Sequence, residues 1–320
     1  MTEPNEDRLA NLPVPLFATV MGTSGLALAW RAGETSWGGP AVASTGLTWL
    51  ATVLFVVLLS AYTSKFLQYR RQVLDEFRHP VKLNFFPAIS ISLILLAILW
   101  RPDAPEFAKV LWIVGALAHI ILTLVAMGRW IGHHPVAIEH INPAWFIPVV
   151  GNILLPIGGI PLGFVELSWF FFSIGLVFWL VLMTLVFYRF IFHDPLPERM
   201  MPTLVIVLAP PSVGFLSWIA LQGGVDAPGR ILYYVGAFLF LLLLTRIPAF
   251  LRLPFFLSWW AYSFPVAAFT VATLELGMRL DLPLMETAGV VLLALTTVLI
   301  LGLANLTLRA ARAGRICVPD

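Results

Sequence analysis

The sequence predicts an all-α polytopic membrane protein with ten transmembrane helices, and three observations support this fold class. Its 320 residues are 60% hydrophobic and 11% charged, with a mean hydropathy of +0.92. Ten apolar stretches are each long enough to cross a bilayer, and prolines recur in alternate stretches. Soluble domains carry about 25% charged residues, so this chain lacks the polar surface that water requires. A soluble enzyme, a nucleic-acid-binding protein and a disordered protein are therefore excluded.

The ten predicted helices have about the 20 apolar residues that a bilayer core requires, and helices satisfy their own backbone hydrogen bonds in lipid. They cover residues 13–32, 46–67, 83–100, 107–128, 143–162, 167–190, 202–222, 229–247, 257–277 and 285–308. We therefore expect an N-terminal tail over 1–12, one membrane domain over 13–308 and a C-terminal tail over 309–320. The lone cysteine, Cys317, excludes an internal disulfide framework.

The distribution of basic residues predicts the orientation of the chain. With the N-terminus inside, 14 of the 19 lysines and arginines fall on the cytoplasmic side and 5 fall outside. This bias predicts that both termini are cytoplasmic, in a multi-pass protein of the plasma (inner) membrane. Lys65 and Arg246 fall near cytoplasmic helix ends, where long side chains extend towards the head groups. Lys65 is expected, together with Arg70 and Arg71, to set the orientation of the chain and to contact lipid. Alternatively, these residues concentrate anions at the pore mouth.

Prolines divide the predicted helices into two kinds. Every proline well inside a span lies in an odd-numbered helix, from Pro15 to Pro265, at about one per 62 residues, which is the length of one helical hairpin. A proline removes a helical hydrogen bond, and the freed carbonyl needs a partner that lipid tails lack. The sequence therefore predicts five helical hairpins in quasi-five-fold arrangement. Five Pro-kinked helices form an inner ring around a pore or cavity, and five even-numbered helices form an outer ring.

Ionisable side chains are nearly absent from the predicted spans. His119 lies in the fourth helix, where we expect a neighbouring helix to satisfy it, and Glu166 and Glu275 lie near the outer interface. A coupled carrier usually places an acidic residue near the bilayer midplane, and the spans offer no strong candidate. An uncharged pore with weak binding is typical of a channel. Broken helices expose amides that attract anions but also carbonyls that attract cations, so the sign of the transported ion stays open.

Five stretches of this sequence, in order along the chain, resemble the tellurite-resistance TehA and plant guard-cell slow anion channel family, also called the tellurite-resistance/dicarboxylate transporter family. Residues 259–265, WWAYSFP, resemble its ninth helix. The other stretches are 11–23, 76–81, 147–152 and 206–210. Its members include anion channels, proposed exporters of tellurite or sulfite, and malate or C4-dicarboxylate carriers. Bacterial TehA proteins often have glycine where this chain has Pro265, which favours the plant-channel or malate-transporter branches.

The resemblance implies a homotrimer of separate pores, each formed by five inner helices and closed by a phenylalanine of the ninth helix. That role corresponds to Phe264, whose backbone is restricted because it precedes a proline. With 24 phenylalanines in the chain, ordinary packing is the alternative for this ring. Small size and similarity to the family suggest the pore-lining residues Gly22, Pro87, Ser90, Pro148, Asn152, Pro210 and Pro265.

These features predict a membrane anion channel that passes small anions through an uncharged pore, with the lipid bilayer as its surroundings and with no cofactor, metal or nucleic acid. The alternative is a secondary transporter or exporter of C4-dicarboxylates such as malate, or of oxyanions such as tellurite or sulfite. A metalloenzyme is a third hypothesis, because His133, His134, Glu139 and His140 cluster in one loop. Di-metal sites need more ligands, and Pro135 interrupts the helical spacing, so a solvated loop is favoured.

Overall fold

The computed structural model describes residues 8–132 and 137–318, and this part of the chain is all-helical, without strands. Its α-helices are α1 (Phe17–Ser36), α2 (Val42–Gln68), α3 (Arg70–Arg78), α4 (Pro87–Trp100), α5 (Pro105–Ile131), α6 (Phe146–Val150), α7 (Leu155–Gly159), α8 (Val165–Phe192), α9 (Ala209–Gln222), α10 (Ala227–Leu244), α11 (Ile247–Phe250), α12 (Ser263–Leu280) and α13 (Pro283–Arg312). The prediction of an all-α protein is confirmed. Helix α3 occupies a stretch that the sequence predicts as a loop.

Five segments of the chain change helix type along their length, and we call them the interrupted segments. They cover 14–36, Lys82–Trp100, Pro143–Gly159, Glu198–Gln222 and Leu257–Leu280. Each begins as a 3₁₀-helix and continues as an α-helix; the 3₁₀ stretches are Val14–Leu16, Lys82–Phe85, Pro143–Trp145, Glu198–Leu208 and Leu257–Tyr262. The third segment returns to 3₁₀ geometry at Gly151–Leu154.

The prolines explain where the helix type changes. Pro87, Pro148, Pro210 and Pro265 each lie within the first three residues of an α-helix, and Pro15 lies in the first 3₁₀-helix. Proline is tolerated in a first turn, where its missing N–H has no intrahelical partner to lose. The predicted kinks are therefore transitions from 3₁₀- to α-helix rather than bends inside a continuous α-helix.

The alternate helices α2, α5, α8, α10 and α13 are uninterrupted, and we call them the continuous helices. Burial separates the two kinds of element. In their most apolar windows the continuous helices are 22–33% buried, against 67–78% for three of the interrupted segments. The continuous helices expose large side chains such as Phe170, Phe238 and Leu295. This exposed apolar surface is what lipid tails require.

Contacts between helices follow a regular order. Each continuous helix packs on the interrupted segment that precedes it, as α2 does on α1 and α13 on α12. Each interrupted segment also contacts the next one along the chain, and the α12 segment contacts α1. In the described residues, eight helical segments are long and apolar enough to cross a membrane, and Pro143–Gly159 is a shorter apolar helix. The structure is thus that of a multi-pass membrane protein.

Carbonyl groups in the interrupted third segment receive hydrogen bonds from neighbouring helices. Thr123 Oγ1 donates to the Pro148 carbonyl at 2.6 Å, and the Trp112 indole donates to the Leu155 carbonyl at 3.0 Å. Ser217 on α9 donates its hydroxyl to the Ile153 carbonyl. Irregular backbone at membrane depth is stable only where protein or water supplies such partners.

Gly175 allows α8 to approach this interrupted segment closely. A Cβ atom there would lie 2.7 Å from the Ile153 backbone nitrogen and 2.8 Å from its Cγ1. Gly175→Ala is therefore expected to lower the free energy of unfolding in detergent micelles by about 1–3 kcal/mol, the usual cost of overpacking. The matched control is Gly128→Ala on α5, where a Cβ meets nothing within 4 Å. Equal stability of the two variants would contradict this packing.

Lys65 is not oriented as the sequence predicts. Its side chain is 1% exposed and pairs with Glu76 Oε1 on α3 at 3.1 Å, while its ammonium also donates to the Leu12 carbonyl at 2.8 Å. The Tyr62 hydroxyl donates to Glu76 Oε2 at 2.6 Å. The expectation that Lys65 serves lipid contact is therefore wrong, because α3 folds back and supplies a carboxylate that the sequence pattern did not anticipate.

Candidate pore

Two cavities lie among the interrupted segments. The first, which we call the apolar cavity, has a volume of about 90 Å³ and lies among the 3₁₀ starts of these segments. Every interrupted segment contributes to its lining. Examples, in chain order, are Pro15, Phe85, Ile147, Ile206 and Trp260. No Asp, Glu, Lys or Arg is among its lining residues.

The second cavity, which we call the charged cavity, has a volume of about 350 Å³ and lies towards the other ends of the same segments. Its lining includes three arginines and one glutamate: Arg31, Arg101, Arg279 and Glu275. This part of the structure differs from the uncharged pore that the sequence predicts. The arginines lie near the ends of α1, α4 and α12, where the sequence places them at interfaces without bringing them together.

Three residues line both cavities and so lie between them: Leu154, Val213 and Phe264. Phe264 is the second residue of α12 and packs beside Gly25 on α1, where a Cβ would lie 3.3 Å from the Phe264 ring. The absence of a side chain at Gly25 therefore leaves space for the ring. All residues that line the two cavities come from the interrupted segments or, for Arg101, from the residue after α4; none comes from a continuous helix.

The predicted pore residues divide into two groups. Pro210, Phe264 and Pro265 are among the lining residues of the apolar cavity. Gly22, Pro87, Ser90, Pro148 and Asn152 line neither cavity, although all five are buried. Gly22, for example, packs against Ser263 and Trp260, because its missing side chain allows α1 to approach the α12 segment.

Ser90, Pro148 and Asn152 belong to a polar cluster against α5. Ser90 Oγ and His119 Nδ1 share a hydrogen bond of 2.9 Å, and Asn152 Nδ2 donates to Thr123 Oγ1 at 3.0 Å. The expectation that a neighbouring helix satisfies His119 is confirmed for Nδ1, whereas Nε2 has no partner among the described residues. These polar side chains face a continuous helix rather than a cavity.

Sequence reasoning missed Leu154 and Val213, which line both cavities, and Gly151 in the apolar cavity. Gly151 precedes the predicted Asn152, so a one-residue rotation about the helix axis separates the lining residue from its polar neighbour. Leu154 and Val213 carry no chemical signal, because aliphatic side chains occur in every span. The clearest available signal is position, since Val213 closely follows Pro210 and Pro211.

The histidine loop lies partly outside the described residues, which omit His133 and His134. His140 accepts a hydrogen bond from the Ala137 amide at its Nδ1, at 3.2 Å. No group of three or more His, Cys, Asp or Glu side chains within 8–132 and 137–318 is arranged to hold a metal ion.

The fold and the two cavities place this chain in the class of multi-pass membrane proteins that have a candidate pathway between their buried helices. The chain belongs to the SLAC1 family, described as voltage-dependent anion channels, which matches residues 11–308. This family includes the channels and TehA proteins that the sequence motifs resemble, so the predicted resemblance is confirmed.

Two plant proteins and one bacterial protein are among the relatives of this chain. The S-type anion channel SLAH3 of Arabidopsis thaliana is 29% identical over 99% of this chain and 52% of its own length. The guard cell S-type anion channel SLAC1 of the same plant is 28% identical over 91% of this chain and 56% of its own. A tellurite resistance protein TehA homolog of Haemophilus influenzae is 25% identical over 80% of this chain and 79% of its own. This chain thus spans about half the length of these plant relatives.

Proposed function

We propose that this protein is an anion channel in which small anions cross the membrane through the two cavities, and in which Phe264 is the gate. One observation carries the proposal: Phe264, with Leu154 and Val213, lines both cavities. An aromatic ring in a narrow apolar passage excludes water, and moving a bare ion through such a constriction is very costly. Displacing the ring would open the passage.

The lining of the apolar cavity supports passage with weak binding. It bears no ionised side chain, so a permeating ion meets no strong counter-charge that would hold it. The Ser258 hydroxyl is a buried group of this lining that has no hydrogen-bond partner among the described residues.

We further propose that ten segments span the membrane as five hairpins, with the five interrupted segments in an inner ring and the continuous helices outside. The circular order of contacts and the origin of the cavity lining support this arrangement. The basic-residue bias supports cytoplasmic termini, so the apolar cavity faces the cytoplasm and the charged cavity faces outward. The homotrimer and the plasma-membrane location rest on similarity to the family.

The proposal is tested by measuring reversal potentials of the purified protein in planar bilayers under a salt gradient. An anion channel shifts the reversal potential towards the equilibrium potential of chloride or of an added dicarboxylate. A potential set by the cation would contradict the proposal, as would the absence of any current from correctly folded Phe264→Ala protein, in which the gate is removed.

Flux assays in vesicles distinguish the alternative carrier. A secondary carrier for malate, another C4-dicarboxylate or an oxyanion such as tellurite or sulfite would give saturable flux linked to a proton gradient. A channel gives flux that follows the electrochemical gradient of the anion, without proton linkage.

A further inference from the structure

The charged cavity differs from the apolar cavity in the side chains that an anion would meet. Three arginines and one glutamate line it, so these four side chains carry a net charge of +2. Arg31 and Arg101 are both partly exposed; Arg31 lies on α1, and Arg101 directly follows α4. An excess of one sign of charge in a cavity lining raises the local concentration of the opposite ion.

The three arginines differ in how many of their hydrogen-bond donors are already used. Arg279 Nε donates to Glu275 Oε2 at 2.8 Å, and its Nη1 donates to the Gly223 carbonyl at 3.4 Å. Arg31 uses Nη1 for the Leu99 carbonyl at 2.7 Å, which leaves its other nitrogens available. Within the described residues, the Arg101 guanidinium has no hydrogen-bond or ion-pair partner.

Two acidic side chains near Arg31 formally balance this charge but lie outside the cavity lining. Glu34 and Asp103 act on Arg31 electrostatically, but neither is among the residues that line the cavity. Glu34 is 5% exposed, and its Oε1 accepts hydrogen bonds from the backbone amides of Ala43 and Ser44 at the start of α2. Glu34 Oε1 is therefore committed to that helix start, while Glu34 Oε2 has no hydrogen-bond partner among the described residues.

We propose that Arg31 and Arg101 form an anion-binding site in the charged cavity, on the proposed outer side of Phe264. This site binds small carboxylates in preference to halides. The inference rests on the proposed function, because it assigns an anion to this pathway. A guanidinium presents a planar fork of donors that matches the two oxygens of a carboxylate, whereas a halide offers no such pair. The cavity volume of about 350 Å³ falls within the usual range for small-ligand sites, about 300–1,000 Å³.

The site is tested by direct binding to the purified full-length protein in detergent. Isothermal titration with sodium succinate, at constant ionic strength set with sodium chloride, compares wild type with Arg101→Gln, Arg101→Lys and Arg31→Gln. We expect Arg101→Gln to weaken succinate binding about tenfold and Arg101→Lys to weaken it less, because lysine keeps the charge but loses the fork. The matched control is Arg230→Gln on α10, an exposed arginine outside the cavity.

Several results would overturn the inference. These are failure of wild type to bind millimolar succinate, unchanged binding by Arg101→Gln, or an equal loss in Arg230→Gln. Arg101→Gln serves as the decisive variant, because Arg31→Gln also removes the bond to Leu99 and could affect folding. The proposed function fails separately, if neither wild type nor Phe264→Ala shows anion-selective current in bilayers. Anion-selective current with succinate binding that is insensitive to Arg101 would leave the channel intact and remove this site.

Discussion

Replacing Phe264 with alanine is expected to raise anion conductance in planar bilayers or oocytes by about tenfold or more. A tenfold change corresponds to about 1.4 kcal/mol of barrier height. The physical reason is that Phe264 lines both cavities, so we expect removal of its benzyl group to join them. Water can then enter the passage and solvate the ion during its transfer.

The matched control for Phe264→Ala is a second phenylalanine of the apolar cavity, Phe85. Phe85→Ala removes a ring of the same size from the apolar cavity, but Phe85 does not line the charged cavity. We expect its conductance to stay close to that of wild type. Unchanged current in a well-expressed Phe264→Ala protein would rule out the gate, and an equal increase in Phe85→Ala would show that position in the constriction does not matter.

Glu76→Gln is expected to destabilise the protein by about 3 kcal/mol, the usual cost when one partner of a buried ion pair is removed. The variant leaves the Lys65 ammonium, which is 1% exposed, without its counter-charge. It also alters the acceptor of the Tyr62 hydroxyl bond. The measurement is the free energy of unfolding in detergent micelles.

The matched control for this prediction is Glu275→Gln. Glu275 pairs with Arg279 at 2.8 Å, but the two side chains are 26% and 38% exposed and lie four residues apart on one helix. Exposed pairs of this kind contribute about 0.3–0.5 kcal/mol, so we expect a change near that size. Similar effects of the two substitutions would show that burial of Lys65 does not determine the strength of its pairing.

The alternation of helix kinds could be predicted from the sequence because it depends on local chemistry. Proline lacks an N–H and restricts the backbone wherever it occurs, so the positions of Pro87, Pro210 and Pro265 indicate interrupted helices without knowledge of the neighbours. The apolar stretches likewise indicate membrane spans through composition alone. The observed elements extend several of them, as α13 does by running to Arg312.

The lining of the candidate pore could be predicted only in part. The family motif identifies Phe264, and residue type identifies Pro210 and Pro265 as candidate lining residues. Ser90 and Asn152 have the small or polar character expected of a pore, yet they bond to His119 and Thr123 on α5. A buried polar group needs a partner wherever it lies, so polarity does not distinguish a pore-facing residue from one that joins two helices.

The sequence by itself determined that this chain is helical, embedded in a membrane and interrupted in alternate segments, because hydropathy and proline chemistry act within a few residues. Only the tertiary structure decided which face of each segment is turned inward. It placed Leu154 and Val213 beside Phe264, buried Lys65 against Glu76, and brought Arg31 and Arg101 to one cavity. These outcomes depend on the rotation and packing of helices distant in sequence, and in spans that are apolar on all sides no periodic pattern specifies that rotation.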